Sequence, residues 1–386
     1  MAELVDGIIE TVRSVVGPGN HALHEPCFDG NELKYLSRCL DTTMVSYVGP
    51  YVEEFESELA RFVGAEYCFS TNTGTAALHL ALLALKVEPE DEVILPSFTF
   101  VATANAVRYC GASPHFVDID QCSLGLDPYK LDAYLSDLVR MQNGKAVNIK
   151  TKKQIRAIVV MHTYGHPVDM RKVVEVASKY GLPVIEDAAE ALGSFYLGQH
   201  LGTLGQIGIF SFNGNKTITT GGGGAVVTND EALFMRVRHI GSTAKMSHPF
   251  ELSHDSVGYN YRMPNVNAAI GLGQLETLPL KLSKKRELTE LYIDAFAKLK
   301  GVRIFEERAY AKSNYWLQAM ILDKENLQAR EEILTKCHQQ GLFVRPAWTP
   351  VHQLKPFKLF PRMDLDVSKL FARSLINLPS SPSLAS

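Results

Sequence analysis

The chain has 386 residues, 46% hydrophobic and 21% charged, proportions of a globular protein and far from disordered, collagenous or membrane compositions. With 39 Lys and Arg against 42 Asp and Glu, the formal charge is −3; no basic run stands out, which argues against nucleic acid as a main partner. The length suits one large core with a smaller companion domain.

Residues 4–16 have helical spacing that breaks at Gly17, Pro18, Gly19 and Asn20, so 1–30 reads as an N-terminal helix and arm. From residue 51 to about 240, short apolar runs at 67–70, 92–95, 114–117, 155–161, 183–186, 207–212 and 225–228 alternate with amphipathic stretches. That alternation predicts an α/β domain over 31–264 around a mainly parallel sheet, with functional residues where strands end. The polar stretch 136–153 reads as a helix end followed by a surface loop. After Asn265 a long helical stretch runs to about residue 299, followed by apolar runs at 302–305, 315–322 and 342–345 and a helix near 326–339. Residues 265–386 therefore read as a smaller α+β domain.

The six cysteines (27, 39, 68, 110, 122 and 337) show no Cys-x-x-Cys or zinc-like spacing. They are expected to be reduced thiols, which suits the cytoplasm, and no metal site is expected. The longest apolar stretch, around 76–85, contains His79 and is too short to span a bilayer. The acidic start at 1–6 lacks a basic signal-peptide region.

The chemistry concentrates in three segments. In the first, Lys216 lies between two strand-like runs and is followed by Gly221, Gly222, Gly223 and Gly224. A lysine forms a Schiff base with an aldehyde, and partial desolvation favours the free amine that does so. A surface hairpin with an exposed lysine is the plain alternative, so Lys216 needs support from elsewhere. In the second, the apolar run at 183–186 delivers Asp187 to its C-terminal end, where a carboxylate can hold a pyridine nitrogen protonated and strengthen the ring as an electron sink. An ordinary helix cap is the alternative for it. In the third, Ser70 to Leu78 places hydroxyl and small residues at the start of a helix, offering N–H groups to a phosphate. The chain has no Gly-x-x-x-x-Gly-Lys-Ser/Thr pattern, which weakens a nucleotide triphosphatase reading.

Together with the segments at 96–105, 117–120, 186–190 and 258–264, these three resemble the DegT/DnrJ/StrS family of sugar aminotransferases from Glu25 onward. The resemblance implies the fold-type I (aspartate aminotransferase-like) architecture and pyridoxal 5′-phosphate as cofactor. It further implies that Lys216 is the Schiff-base lysine and proton shuttle, and Asp187 the partner of the pyridine nitrogen. Gly74, Thr75 and Ser211 resemble the phosphate cradle, Phe100 the aromatic residue stacked on the ring (with Phe98 the alternative), and Glu190 the residue near the ring hydroxyl. Asn260 resembles the residue sent across a homodimer interface to the phosphate, and Arg262 and His352 are candidates for binding substrate. Some relatives carry His in place of the lysine and are dehydratases; Lys216 favours transamination.

The segments at 24–26, 213–216 and 345–350 resemble the LegC-type branch. That implies transfer of an amino group from L-glutamate, leaving 2-oxoglutarate, to C4 of a 4-keto-6-deoxy nucleotide-sugar, UDP-linked and N-acetylated, for surface glycan biosynthesis. Amination at C3 and a GDP-perosamine-type synthase are the alternatives on the same scaffold. A non-catalytic PLP-binding regulatory protein, or a plain nucleotide-binding α/β protein, is the alternative of another class.

Overall fold

The structure is a computed structural model that describes residues 2–385. Seven strands form the central sheet in the order Tyr67–Thr71, Gly224–Thr228, Ile207–Ser211, Val184–Asp187, Ile155–Met161, Glu92–Pro96 and Ser113–Val117. All run parallel except Gly224–Thr228, which is antiparallel to both of its neighbours. Alternation along each strand sends side chains to opposite faces. Ile158 and Val160 thus enter one apolar core with Phe55 and Leu59, while Ala157 and Val159 enter the other with Leu80 and Val107. A sheet covered on both faces needs apolar residues on both, which is why its strands read as continuous runs in the sequence. Each of the seven predicted runs is a strand.

The helix Gly74–Ala84 buries Ala77, Leu78, Leu80, Ala81 and Leu82, so that almost no side of it is left to water. A helix apolar all round belongs inside a domain. Here it fixes the helix start beside the C-terminal ends of the central strands.

Beyond the large sheet, Asn265–Phe296 is one helix that begins in the core of Phe55 and ends, at Leu288, Tyr292 and Phe296, in a second core. This second core is built on a four-stranded antiparallel sheet ordered Val302–Ile304, Gln318–Leu322, Leu375–Leu378 and Arg345–Pro346. The N-terminal helix Ala2–Val16 packs there too, through Val5, Ile8, Ile9, Val12 and Val16. Burial of each such aliphatic side chain stabilises by about 1.5–3 kcal/mol, which ties the helix to residues far along the chain.

The stretch 136–153 departs from expectation. After the helix Pro128–Leu138 it forms a hairpin, Val139–Gln142 paired with Lys145–Asn148, rather than a loop. Asn143 and Gly144 at its tip have φ of 51° and 76°. Two consecutive positive φ values make the tight turn whose twist matches paired strands, and Asn-Gly is the pair that adopts them most readily. Polar residues on the exposed strand face hid the alternation. The predicted strand 315–322 also starts late, at Gln318, because Tyr315 turns the chain with φ of 47°. Among the described residues all six cysteines are free thiols.

Candidate active site

Parallel strands present their C-terminal ends at one edge of the sheet, and ligands of α/β proteins bind there. A cavity of about 300 Å³ lies at this edge, lined by Gly74, Thr75, Phe100, Asp187, Glu190, Ser211 and Lys216 among others. Seven of the ten residues singled out in the sequence thus share one cavity.

Asp187 is the last residue of its strand and is 2% exposed. Its Oδ2 accepts a hydrogen bond from Thr103 Oγ at 2.8 Å and its Oδ1 one from the Ala189 N–H at 3.2 Å. Burial raises the carboxyl above its ordinary range; the bonds from Thr103 and Ala189 and the charge of Lys216 oppose that rise without cancelling it. A carboxylate held in this way is suited to a cationic partner inside the cavity. Glu190, also buried, accepts from the Tyr164 N–H at 2.9 Å and faces Lys216 Nζ at 3.3 Å. Burial outweighs the neighbouring ammonium and lifts it to about 7.

Lys216 sits in the loop between the antiparallel strands Ile207–Ser211 and Gly224–Thr228, its N–H donating to the Asn213 carbonyl at 3.0 Å. The side chain is mostly buried and points at Glu190 and at the ring of Trp316.

On the opposite wall, Thr73 caps the helix Gly74–Ala84 by accepting from the Ala76 N–H at 3.0 Å. The free N–H groups and dipole of a helix start attract a phosphate. A Cβ at Gly74 would lie 2.8 Å from Ser211 Cβ, and one at Gly224 would lie 2.6 Å from the Gly74 nitrogen. Only glycine at these positions lets the helix start approach both strands. With a phosphate cradle, an electrophile-accepting lysine and a buried carboxylate around one cavity, the residues fit a pyridoxal phosphate group.

The two aromatic candidates part company. Phe100, just before the helix Val101–Tyr109, is 49% exposed and lines the cavity, whereas Phe98 is wholly buried in a separate apolar cluster with Tyr164 and Ile119.

Three other residues lie elsewhere in the chain. Asn260 and Arg262 line a separate cavity of about 790 Å³ together with Tyr47, Arg238, Lys245 and His248. Arg262 Nη2 is 4.0 Å from Glu56 Oε2, and its guanidinium stands 5.8 Å from the Phe69 ring. His352 is not at the cavity: it is buried in the turn Val351–Gln353, with its Nδ1 2.7 Å from Ser97 Oγ. Burial, with Arg362 and Lys369 nearby, pushes its pKa down. The ring is thus bonded to Ser97 rather than lining this cavity.

Sequence reasoning missed Thr103, Tyr164, Trp316 and Trp348. Thr103 stands one helical turn after Phe100, a spacing that puts both on the same side of the chain. For the tryptophans the signal was their scarcity, since the chain has only two and both line the cavity. No group of three or more His, Cys, Asp or Glu side chains among the described residues is arranged to hold a metal ion. No helix among them is long and apolar enough to cross a membrane.

A large, mainly parallel sheet with lysine, carboxylate and helix start at its C-terminal edge, joined to a smaller α+β unit, defines a fold-type I pyridoxal-phosphate-dependent transferase. The chain belongs to the DegT/DnrJ/EryC1/StrS aminotransferase family, whose sequence pattern matches residues 26–386. It is 39% identical over 363 residues to GDP-perosamine synthase of Escherichia coli O157:H7, covering 94% of each chain. It is 31% identical to the UDP-4-amino-4,6-dideoxy-N-acetyl-beta-L-altrosamine transaminase of Campylobacter jejuni (serotype O:23/36), covering 91% of this chain and 90% of that one. Among solved structures, Helicobacter pylori PseC, an aminotransferase of pseudoaminic acid biosynthesis, superposes with a TM-score of 0.84 at 27% identity, covering 94% of both chains. The protein is a pyridoxal-phosphate-dependent sugar aminotransferase.

Proposed function

We propose that Lys216 carries the cofactor and that the enzyme moves an amino group from L-glutamate to C4 of a nucleotide-linked 4-keto-6-deoxy sugar, UDP-linked and N-acetylated, for surface glycan biosynthesis in the cytoplasm. The observation that carries this reading is the single cavity holding Lys216, Asp187 and the Gly74–Thr75 helix start. The C4 position is supported by the similarity to the altrosamine transaminase, whose name specifies a 4-amino-4,6-dideoxy sugar.

When bound, pyridoxal phosphate supplies the electron sink for loss of the donor's α-proton. The chain's own residues do the rest. Asp187, steadied by Thr103, keeps the ring nitrogen protonated. Gly74, Thr75 and Ser211 hold the phosphate, and Phe100 covers one face of the ring. Lys216 takes the α-proton from the donor and returns a proton in the second half of the cycle, which a free amine and its ammonium can each do. Glu190 lies within reach of that exchange, near neutrality in its own titration. In this reading Asn260 serves the phosphate of the partner's cavity across a homodimer interface, and Arg262 binds the anionic donor or substrate.

A second reading replaces UDP by GDP, and the higher identity to GDP-perosamine synthase favours it. One experiment separates these readings and tests the first. The absorbance of the protein with pyridoxal phosphate is recorded before and after L-glutamate, for the wild type and for Lys216→Ala. The glutamate-converted wild type is then offered UDP- and GDP-linked 4-keto-6-deoxy sugars, and products are weighed by mass spectrometry. A cofactor band unaffected by loss of Lys216 would sink the lysine assignment; an aminated UDP-sugar supports the first reading and an aminated GDP-sugar the second.

A further inference from the structure

Trp316 approaches Lys216 in two ways at once. Its indole Nε1 donates to the Asn215 carbonyl at 2.7 Å, one residue before the lysine. Its ring also faces the lysine, with Nζ 3.9 Å from the centroid. Glu190 Oε1 stands on another side of the same nitrogen at 3.3 Å. The ammonium therefore has an aromatic face and a carboxylate as two walls of one seat.

Both walls are fixed by the same residue. Tyr164 donates its N–H to Glu190 Oε2 and accepts the Trp316 N–H at its carbonyl, at 3.1 Å. It does so with φ of 55°, in the left-handed region that a buried aromatic residue seldom adopts. The Trp316 N–H is also bonded to Asn314 Oδ1 at 2.9 Å, and the Trp316 carbonyl accepts from the buried Lys285 Nζ at 3.0 Å. The Trp316 backbone is thus held on both sides, and the ring itself is held by its Nε1 bond to the Asn215 carbonyl.

We propose that Trp316 is a positioning residue for Lys216. Its ring, with Glu190, seats the lysine ammonium whenever the amine is released from the cofactor, and its N–H holds the loop that keeps the lysine within reach. The proposal rests on the reading of Lys216 as the cofactor lysine. Asp187, Glu190 and His24 are the titratable groups that share an electrostatic interaction with it. Among its neighbours the aromatic face is the uncharged one that favours ammonium over amine. Removing it takes away a contact that an ammonium gains at this position and a neutral amine does not.

The test is the pH dependence of the rate at which L-glutamate consumes the cofactor band of the holoenzyme. Wild type is compared with Trp316→Leu, Trp316→Phe and a protein carrying fluorinated tryptophan at 316. Trp316→Leu is expected to move the profile toward acid by about one pH unit, the size of a desolvated cation–π contact. Trp316→Phe keeps a ring but not the N–H, so its profile stays near wild type while its rate falls severalfold. Fluorinated tryptophan keeps shape and N–H but drains the ring face, and moves the profile toward acid by less than Leu; it decides the matter if Leu fails to fold. An unmoved profile with the fluorinated ring, or Phe moving as far as Leu, overturns the proposal. Borohydride reduction of the holoenzyme and peptide mapping are run alongside. A label away from Lys216 overturns the underlying reading, whereas a label on Lys216 with unmoved profiles overturns only the role of Trp316.

Discussion

Replacing Gly74 by Ala would drive a methyl group into Ser211, with the new Cβ 2.8 Å from Ser211 Cβ and 3.0 Å from its Oγ. Ordinary contact begins near 3.4 Å, so something must yield by about half an ångström. The strand side is stiff, since Ser211 is paired to Gly224 in the sheet. The first helical turn yields instead, and it is the wall that would hold the phosphate. Overpacking of this kind costs about 1–3 kcal/mol, equivalent to roughly 5- to 150-fold in cofactor affinity if the strain is relieved by moving that turn. Affinity is measured by titrating cofactor-free protein with pyridoxal phosphate and following the absorbance. The second arm is Ser211→Gly, which deletes the two closest atoms and leaves only the Ser211 Cα position at 3.4 Å. The double variant should bind at least about 1 kcal/mol better than the sum of the two single losses, because residues in contact do not act additively. Strict additivity, or Gly74→Ala binding as tightly as wild type, would refute the steric account of the cradle.

Thr103→Val removes the hydroxyl that favours the Asp187 carboxylate, so Asp187 moves further up and the acid limb of the kcat–pH profile shifts to higher pH, with kcat down about tenfold. Glu190→Gln tests a linkage: a carboxyl raised from 4.5 to about 7 leaves stability intact below about pH 4.5 and erodes it as pH rises toward 7. In cofactor-free protein the Gln variant should therefore be more stable by about 3–3.5 kcal/mol near pH 8 and unchanged near pH 4, read by denaturant unfolding. Gly144→Ala forces a side chain onto a φ of 76° and should cost about 1 kcal/mol in unfolding without altering activity.

The large sheet was legible because each strand is buried on both faces and so carries its own apolar run, as in the Ile155–Met161 strand. The hairpin at 139–148 was not, since its outer face is polar and its signature lies in two turn residues, Asn143 and Gly144. The cavity walls divide in the same way. Asp187, Ser211 and the Gly74 helix start sit at the ends of strands or at a helix start and follow from local sequence. Trp316 arrives from the smaller unit, through a turn at Tyr315 that resembles a strand, and its contact with Asn215 joins residues 101 apart. No local pattern announces such a meeting. Nor does sequence alone distinguish Phe98 from Phe100, two residues apart in the bend after the strand Glu92–Pro96, one packed in the core and the other at the mouth of the cavity.

The packing of Ala2–Val16 against Leu288, Tyr292, Phe296 and Ile376 sets an order of events during synthesis. The helix is made before its docking surface, which is not complete until some 360 residues later, so at about 5–20 residues per second it waits on the order of 20–70 s with its apolar stripe uncovered. During that interval the large sheet can close while the smaller unit cannot. A nascent chain stalled before residue 288 would expose an amphipathic helix with nothing to cover it, a natural handle for chaperones and a site of early cleavage by proteases.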